Sequence, residues 1–364
     1  GTPVISEVEL AARWLRGPIV AVTGTKGKST TTLLAGRMFD ADGRHALVGG
    51  NIGTALSSQV EDSAPDVVHV VEVSSFQLEL THTFHPRIAV LLNLAPDHID
   101  RHGSFEEYAA AKARIFANQT ADDTMVINAD DPLVLELARR GRARPLRFAV
   151  TSQMDDGVLP AGGSIVRRSP DGDRPLLPLS AVQVPGRHLL SDVLAASAAA
   201  SAAGVSPAAI ERAVRAFSGC EHVLEPAGEV AGVRFVNDSK ATNVLAARAA
   251  IESSERGVIV IMGGRFYGGN LAVLAPAMAA RARAGVDIGV ASARIRAELG
   301  ATVNVTEAPS LGAAVRAALA LARGSGTVLL APACASLDMF RDYAERGRVF
   351  KEEVARLAQD TAAS

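Results

Sequence analysis

The stretch Ala21 to Ala35, AVTGTKGKSTTTLLA, constrains this chain more than any other. An apolar run leads into Gly24, Gly27, Lys28 and Ser29, and a row of small residues suited to a helix follows. A glycine-rich turn before a helix aims backbone N–H groups at one locus, and the helix dipole favours an anion there. Lys28 adds a point charge and Ser29 a hydroxyl able to ligate Mg²⁺. The spacing Gly24-x-x-Gly27-Lys28-Ser29 is shorter than G-x-x-x-x-G-K-[ST], and Val22 stands where that pattern has its first glycine. The plainer alternative is a tight strand-to-helix turn with a solvated lysine. Strand before, helix after and the Lys-Ser pair favour phosphate.

Such a loop needs a parallel sheet behind it. From Pro18 to about Ala216, short Val/Ile/Leu-rich runs (PIVAVTG, VVHVVEVSS, RIAVLLNLA, DTMVINAD) alternate with helix-like segments such as STTTLLAGRMF and SFEEYAAAKARIFAN. This is a βαβ rhythm. The interval from Thr151 to Val184 breaks it and reads as short strands and turns. SPAAIERAVRAF follows as a helix capped at Ser206, and a Gly219-Cys220 break marks a boundary. A second α/β rhythm then begins, with strands VRFVNDS, GVIVIMGG, VDIGVAS and GTVLLAPA and helices AAVRAALALAR and KEEVARLAQ.

The 364 residues, 48% hydrophobic and 21% charged, suit two or three globular domains and exclude disorder. A net charge of −2 without a basic stripe gives no footprint for nucleic acid. Cys220 and Cys334 are too few for a disulfide framework, so a reducing cytoplasm is expected. No export signal and no apolar run near the ~20 residues of a membrane span are visible.

Further polar clusters fall at the ends of apolar runs, where parallel sheets present ligand-binding edges. Glu72 ends VEVSSFQLE, and Asp97, His98, Asp100 and Arg101 end LNLAPDHIDRHG. A carboxylate and an imidazole beside a nucleotide suit metal ligation, but a helix cap or surface turn fits the spacing equally well. Lys112, among alanines in EYAAAKARIF, reads on spacing alone as a solvated or snorkelling lysine. VNDSKATN places Asp238, Ser239, Lys240, Thr242 and Asn243 after a strand of the second rhythm. LLAPACASLDMF ends another, with a candidate helix cap at Ser336.

Taken together, GTKGKST, GGNIG, VEVSSFQLE, LNLAPDHIDRH, YAAAKARIF, VNDSKATN and APACASLDMFRDYAERG resemble the Mur ligases from the first residues to the last. The match is to the branch that adds D-glutamate to UDP-N-acetylmuramoyl-L-alanine in peptidoglycan synthesis. The resemblance implies an α/β chain: a linker over residues 1–17, a central P-loop ATPase domain with a mostly parallel sheet over 18–219, and a Rossmann-like C-terminal domain over 220–364. It implies an ATP-dependent ligase acting through an acyl phosphate, cytoplasmic and monomeric.

By the same resemblance, Gly24, Thr25, Lys26, Gly27, Lys28, Ser29 and Thr30 hold the ATP phosphates, and Ser29 and Glu72 hold one Mg²⁺. His98 and a carbamylated Lys112 hold a second. The carbamate turns a cation into a carboxylate that tolerates Mg²⁺. Asn51, Ser74 and Gln77 match positions near muramoyl-alanine. Asp192, Asp238, Lys240 and Thr242 match nucleotide and acyl-phosphate positions, and Ser336, Leu337 and Tyr343 match those around glutamate.

Three departures stand out. Tyr267 replaces the lysine that grips glutamate's side-chain carboxylate, with Arg265 nearby; Val223 replaces an arginine near the phosphates. Further, His188-Leu189-Leu190-Ser191-Asp192 stands for His-Asn-x-x-Asn near adenine. Family members also carry an N-terminal UDP-binding domain, and GTPVISEVEL matches the segment just before the ATPase domain, so that domain is expected to be removed or absent. A ligase for another amino acid, or a nucleotide-binding relative impaired in catalysis, remain as alternatives.

Overall fold

The computed structural model describes residues 4–182, 187–217 and 219–363; the side chains of Asp100, Arg187, His188, Ala362 and Ala363 are not among the described ones. The chain divides into two compact units, residues 1–218 and 219–364.

The first unit opens with α1 (Glu7–Ala12), β1 (Ile19–Thr23), α2 (Lys28–Ala41), β2 (Ala46–Gly50) and β3 (Val68–Glu72). It continues through α3 (Ser75–Glu79), β4 (Ile88–Leu91), α4 (Ile99–His102), α5 (Phe105–Ala113), β5 (Thr124–Asn128), α6 (Pro132–Ala138) and β6 (Arg144–Phe148). The antiparallel excursion β7 (Gly157–Ala161), β8 (Ser164–Ser169) and β9 (Gly172–Pro178) follows, and then α7 (Arg187–Ala202) and α8 (Pro207–Arg215).

The strand order is β2-β3-β1-β4-β5-β6-β7-β8-β9. Pairing is parallel as far as β7 and antiparallel beyond it. Every residue of β1, β3 and β4 is buried, which is why these strands read as nearly continuous apolar runs, interrupted within β3 by His69, which bonds Ser63 and Gln59. Ala21, Val71, Leu91 and Ile127 pack on one face in a cluster with Tyr108 and Phe116, and α2 and α7 lie against the sheet and each other. Helix α1 is fastened by Glu9, whose carboxylate accepts from the amides of His82, Thr83 and Phe84 and from Thr83 Oγ1. Burial raises its pKa, but these donors prevail and hold it at about 2.

The second unit contains β10 (Glu225–Val230), β11 (Val233–Asn237), α9 (Val244–Ser253), β12 (Val258–Gly263), α10 (Ala275–Arg281) and β13 (Ala282–Ile288). After these come α11 (Ser292–Leu299), β14 (Val305–Glu307), α12 (Leu311–Ala322), β15 (Gly326–Leu330) and α13 (Tyr343–Ala363). The order is β10-β11-β15-β12-β13-β14, parallel except for β10 against β11. Two cores follow from strand alternation: Val258, Val260 and Met262 enter one, Ile259 and Ile261 the other. Ser206, Asn243 and Ser310 cap α8, α9 and α12 through their side chains, each cap worth about 1 kcal/mol. Ser336 does not cap a helix, contrary to the sequence expectation. Its carbonyl closes a turn with the amides of Met339 and Phe340, and α13 starts only at Tyr343.

Candidate active site

At the carboxyl end of β1 the backbone turns through Gly24 and reaches α2 through Gly27, whose φ of 83° is the left-handed conformation glycine adopts freely. No side chain fits there: a Cβ on Gly27 would lie 2.0 Å from Asp192 Oδ1. Asn93 braces the loop from β4's end, accepting from Lys26 N through Oδ1 and donating to Lys26 O through Nδ2. Thr25 Oγ1 lies 2.9 Å from Tyr108 Oη. The ammonium of Lys28 rests on the carbonyls of Gly24 and Thr25 at 3.0 and 3.1 Å. Thr30 is buried in the first turn of α2.

Glu72 ends β3, 1% exposed, and its two oxygens are shared out. Ser29 donates to Oε2 at 2.6 Å, and Asn51, just after β2, donates through Nδ2 to Oε1 at 2.8 Å. The structure thus joins three expected site residues from the ends of three strands. Ser74 and Gln77 are committed to each other in a capping box on α3: Gln77 Oε1 accepts from Ser74 N and Oγ, and Ser74 Oγ accepts from Gln77 N.

Lys112, on α5, is 2% exposed, so the solvated-lysine reading gives way. Its Nζ donates to Gly24 O at 2.9 Å and stands 4.8 Å over the Tyr108 ring. Burial pulls its pKa down to about 7; Lys28 adds to the fall, while Asp97 and Glu72 oppose it. His98 caps α4 with a left-handed φ of 53°; its Nε2 is 3.6 Å from Asp97 Oδ2 and its ring packs on Phe76. Tyr108 escaped the sequence reading, although its place four residues before Lys112 puts both on one helix face.

Asp192, on α7, is buried against the loop, and among the described residues only Lys28 favours its charge. Burial dominates, and its pKa is raised well above the usual carboxylate range. An acid raised in this way contributes no penalty below about pH 4 and a growing one, roughly 1.4 kcal/mol per unit, as pH climbs toward the folded value. Asp192→Asn is therefore expected to raise the melting temperature at pH 7 to 8, with the gain fading toward pH 4. A gain independent of pH in thermal melts would overturn this account.

In the second unit, Asp238 follows β11 and accepts from Leu224 N at 3.2 Å; burial lifts its pKa to about 7, against the pull of Lys240. Lys240 Nζ lies 5.9 Å over the Tyr343 ring, and Thr242 N bonds Lys240 O. Ser336 is buried, and Leu337 is exposed. Tyr267 is 70% exposed, and among the described residues the Arg265 guanidinium has no hydrogen bond or ion pair. Val223 lies between His222 and Leu224, both left-handed, and His222 is buried beside Asn237. Among the described residues no three His, Cys, Asp or Glu side chains converge as a metal cluster, and no helix is long and apolar enough to cross a membrane.

Residues 22–200 match the Mur ligase middle domain, and residues 224–334 match the Mur ligase glutamate ligase domain. A UDP-N-acetylmuramoylalanine--D-glutamate ligase of Acidobacterium capsulatum is 47% identical over 97% of this chain and 77% of its own length. The chain belongs to the Mur ligase family. An equally named ligase of Koribacter versatilis is 44% identical over 99% of this Mur ligase and 79% of that protein. Among solved structures, MurF from Acinetobacter baumannii has a TM-score of 0.70 at 16% identity, covering 97% of this ligase and 78% of that chain. E. coli FolC in complex with DHPP and ADP has a TM-score of 0.70 at 18% identity, covering 98% and 94%. At those identities the likeness establishes the fold alone: mostly parallel sheets with flanking helices.

Proposed function

We propose that the chain is an ATP-dependent ligase that adds D-glutamate to UDP-N-acetylmuramoyl-L-alanine in cytoplasmic peptidoglycan synthesis. The observation that carries this reading is the joining of Ser29 and Asn51 on Glu72, beside the glycine loop on which Lys28 rests, in a chain 47% identical to a ligase of that name. An acceptor carboxylate oxygen attacks the γ-phosphorus of ATP, the bond to ADP breaks, and an acyl phosphate forms. The amine of D-glutamate attacks the acyl carbon and phosphate leaves with the bonding pair. The amine gives up a proton, and an amide remains.

In this reading Lys28 leaves the carbonyls on which it rests and, with the amides of Gly24 to Thr30, holds the β- and γ-phosphates. The Ser29 and Glu72 oxygens, 2.6 Å apart, are hard donors of the kind Mg²⁺ takes. Bound there, Mg²⁺ neutralises phosphate charge. His98 fits a second ion poorly unless Lys112 supplies oxygen, which its amine does only as a carbamate. Asp192, Asp238, Lys240 and Thr242 serve the nucleotide and the acyl phosphate. Asn51, Ser74 and Gln77 serve the acceptor, and Ser336, Leu337 and Tyr343 the amino acid. The domain limits proposed are 18–219 and 220–364, after a linker over 1–17, and the active form is a monomer.

Phosphate release with ATP, acceptor and a panel of amino acids tests the reaction: release dependent on D-glutamate is expected. A second amino acid is kept in view because Tyr267 carries no fixed charge. A charge-assisted bond to glutamate's side-chain carboxylate contributes about 1.5–3 kcal/mol and a neutral one about half that. Tyr267→Lys should thus lower the Michaelis constant for D-glutamate roughly tenfold and leave that for ATP unchanged. If it changes nothing while Arg265→Ala destroys D-glutamate use, Arg265 is the anchoring cation instead.

A further inference from the structure

Arg346 lies on α13, three residues into the helix, and is 1% exposed, which places a guanidinium inside the second unit. No carboxylate pairs with it among the described residues. Its acceptors are neutral and come from three strand ends. Nε donates to Ser239 Oγ and Nη2 to Ser239 O, both at 2.9 Å, after β11. Nη1 donates to Gly263 O at 3.3 Å, at the end of β12, and to Cys334 O at 3.1 Å, after β15. Four bonds therefore radiate from one planar group into three loops.

Those loops carry the residues assigned above to nucleotide and amino acid. Ser239 sits between Asp238 and Lys240, Gly263 begins the segment leading to Arg265 and Tyr267, and Cys334 precedes Ser336 and Leu337. The last two loops are further tied by the pair Arg265 N to Ala335 O at 2.8 Å and Ala335 N to Arg265 O at 3.0 Å. The space around the group is closed: a Cβ on Gly264 would lie 2.2 Å from Ala335 O and 3.2 Å from Arg346 Nη1. Ser239 Oγ in turn donates to Tyr343 O, linking the β11 loop to the start of α13.

We propose that Arg346 is a positioning residue that sets the three substrate-bearing loops in one mutual geometry, acting through backbone carbonyls and Ser239 and touching no substrate itself. The proposal rests on the ligase reading for what the loops bind and on geometry alone for the clamp. A buried cation with no carboxylate in contact is costly, and burial pulls this one down to about 10, with Cys334 and, from further off, the Asp338 carboxylate opposing the fall. Packing alone is served by a neutral side chain of similar length. The four bonds leave one plane at fixed angles toward three loops, and only the guanidinium fork of arginine offers donors so arranged.

The test compares wild type, Arg346→Lys, Arg346→Met and Arg346→Ala in the full chain, by hydrogen exchange and by D-glutamate kinetics at saturating ATP. Arg346→Lys keeps the charge and loses the fork. It should melt near wild type, exchange faster at residues 238–243, 263–267 and 334–338 together, and raise the Michaelis constant for D-glutamate by about tenfold or more, since roughly 1 Å of misplacement costs up to ~10²-fold. Added guanidinium ion should reverse both changes in Arg346→Ala. Unchanged exchange in the three loops of Arg346→Lys overturns the clamp, even if Arg346→Met fails to fold. Exchange is read without turnover, so a wild type that releases no phosphate with D-glutamate would count against the ligase reading and leave the clamp to be decided by exchange.

Discussion

Lys28→Ala is expected to abolish D-glutamate-dependent phosphate release and to remove nucleotide binding to the first unit. The loop from Gly24 to Thr30 offers amide groups and, at the start of α2, the Lys28 ammonium to the phosphates, and phosphoryl transfer depends almost wholly on positioning and charge stabilisation. Loss of a single preorganised donor to developing charge costs about 10²–10³ in rate. Here the loss is larger, because Lys28 is also, among the described residues, the cation that favours the charge of buried Asp192. Without it, an ionised Asp192 beside Gly27 would repel phosphate with no ammonium at the start of α2 to offset it. Calorimetry with an ATP analogue and Mg²⁺ measures the binding. Unchanged affinity in the variant would falsify the assignment of this loop.

What the sequence disclosed and what it hid follow from the same physics. β1, β3, β4 and β5 were legible because a strand covered on both faces is apolar nearly throughout, and TMVINAD or IVAVTG admits little else. β2, written ALVGG and half buried, and β6, written RPLRF with exposed Arg147 between buried Leu146 and Phe148, carry no such run and leave no strand signal in the sequence. The phosphate loop was legible because its chemistry is local. Its partnership with Glu72 was not, since Ser29 and Glu72 are 43 residues apart and only the parallel register of β1 on β3 unites them.

Polar residues are harder to read. Ser74 and Gln77 form the S-x-x-Q pattern of a capping box, and the fold uses them that way; a cap does not conflict with the acceptor contacts proposed for them. Ser336 looked like a cap and is a turn, because α13 begins seven residues later at Tyr343. Tyr108 and Arg346 left almost no trace: each acts inside the protein on partners 83 and 107 positions away. A buried polar group is set by its tertiary partners, and a single sequence does not list those.

Lys112→Ala should lower ligation by about 10²-fold or more if Lys112 works as a carbamate that supplies negative oxygen beside His98, an effect of the size seen when electrostatic preorganisation is lost. The site favours that chemistry. CO₂ is attacked by the neutral amine, and a pKa of about 7 leaves roughly half of Lys112 as amine at pH 7, against about 1 in 3,000 for an ordinary lysine. Burial that disfavours the ammonium thus prepares the amine, and the proton lost on forming the N–C bond leaves a monoanion. The sign of the pH dependence follows. Below about pH 7 the ammonium forms, cannot add CO₂, and activity should fall with acid; above it the amine persists and activity should hold. Carbon-13 NMR under labelled CO₂ should show one carbamate signal that disappears in Lys112→Arg, whose guanidinium stays protonated at every pH used. Short-chain carboxylates should partly restore Lys112→Ala by placing two oxygens in the space the side chain leaves. Full activity in Lys112→Arg would end the carbamate reading, because a fixed cation would then suffice where a carboxylate is required.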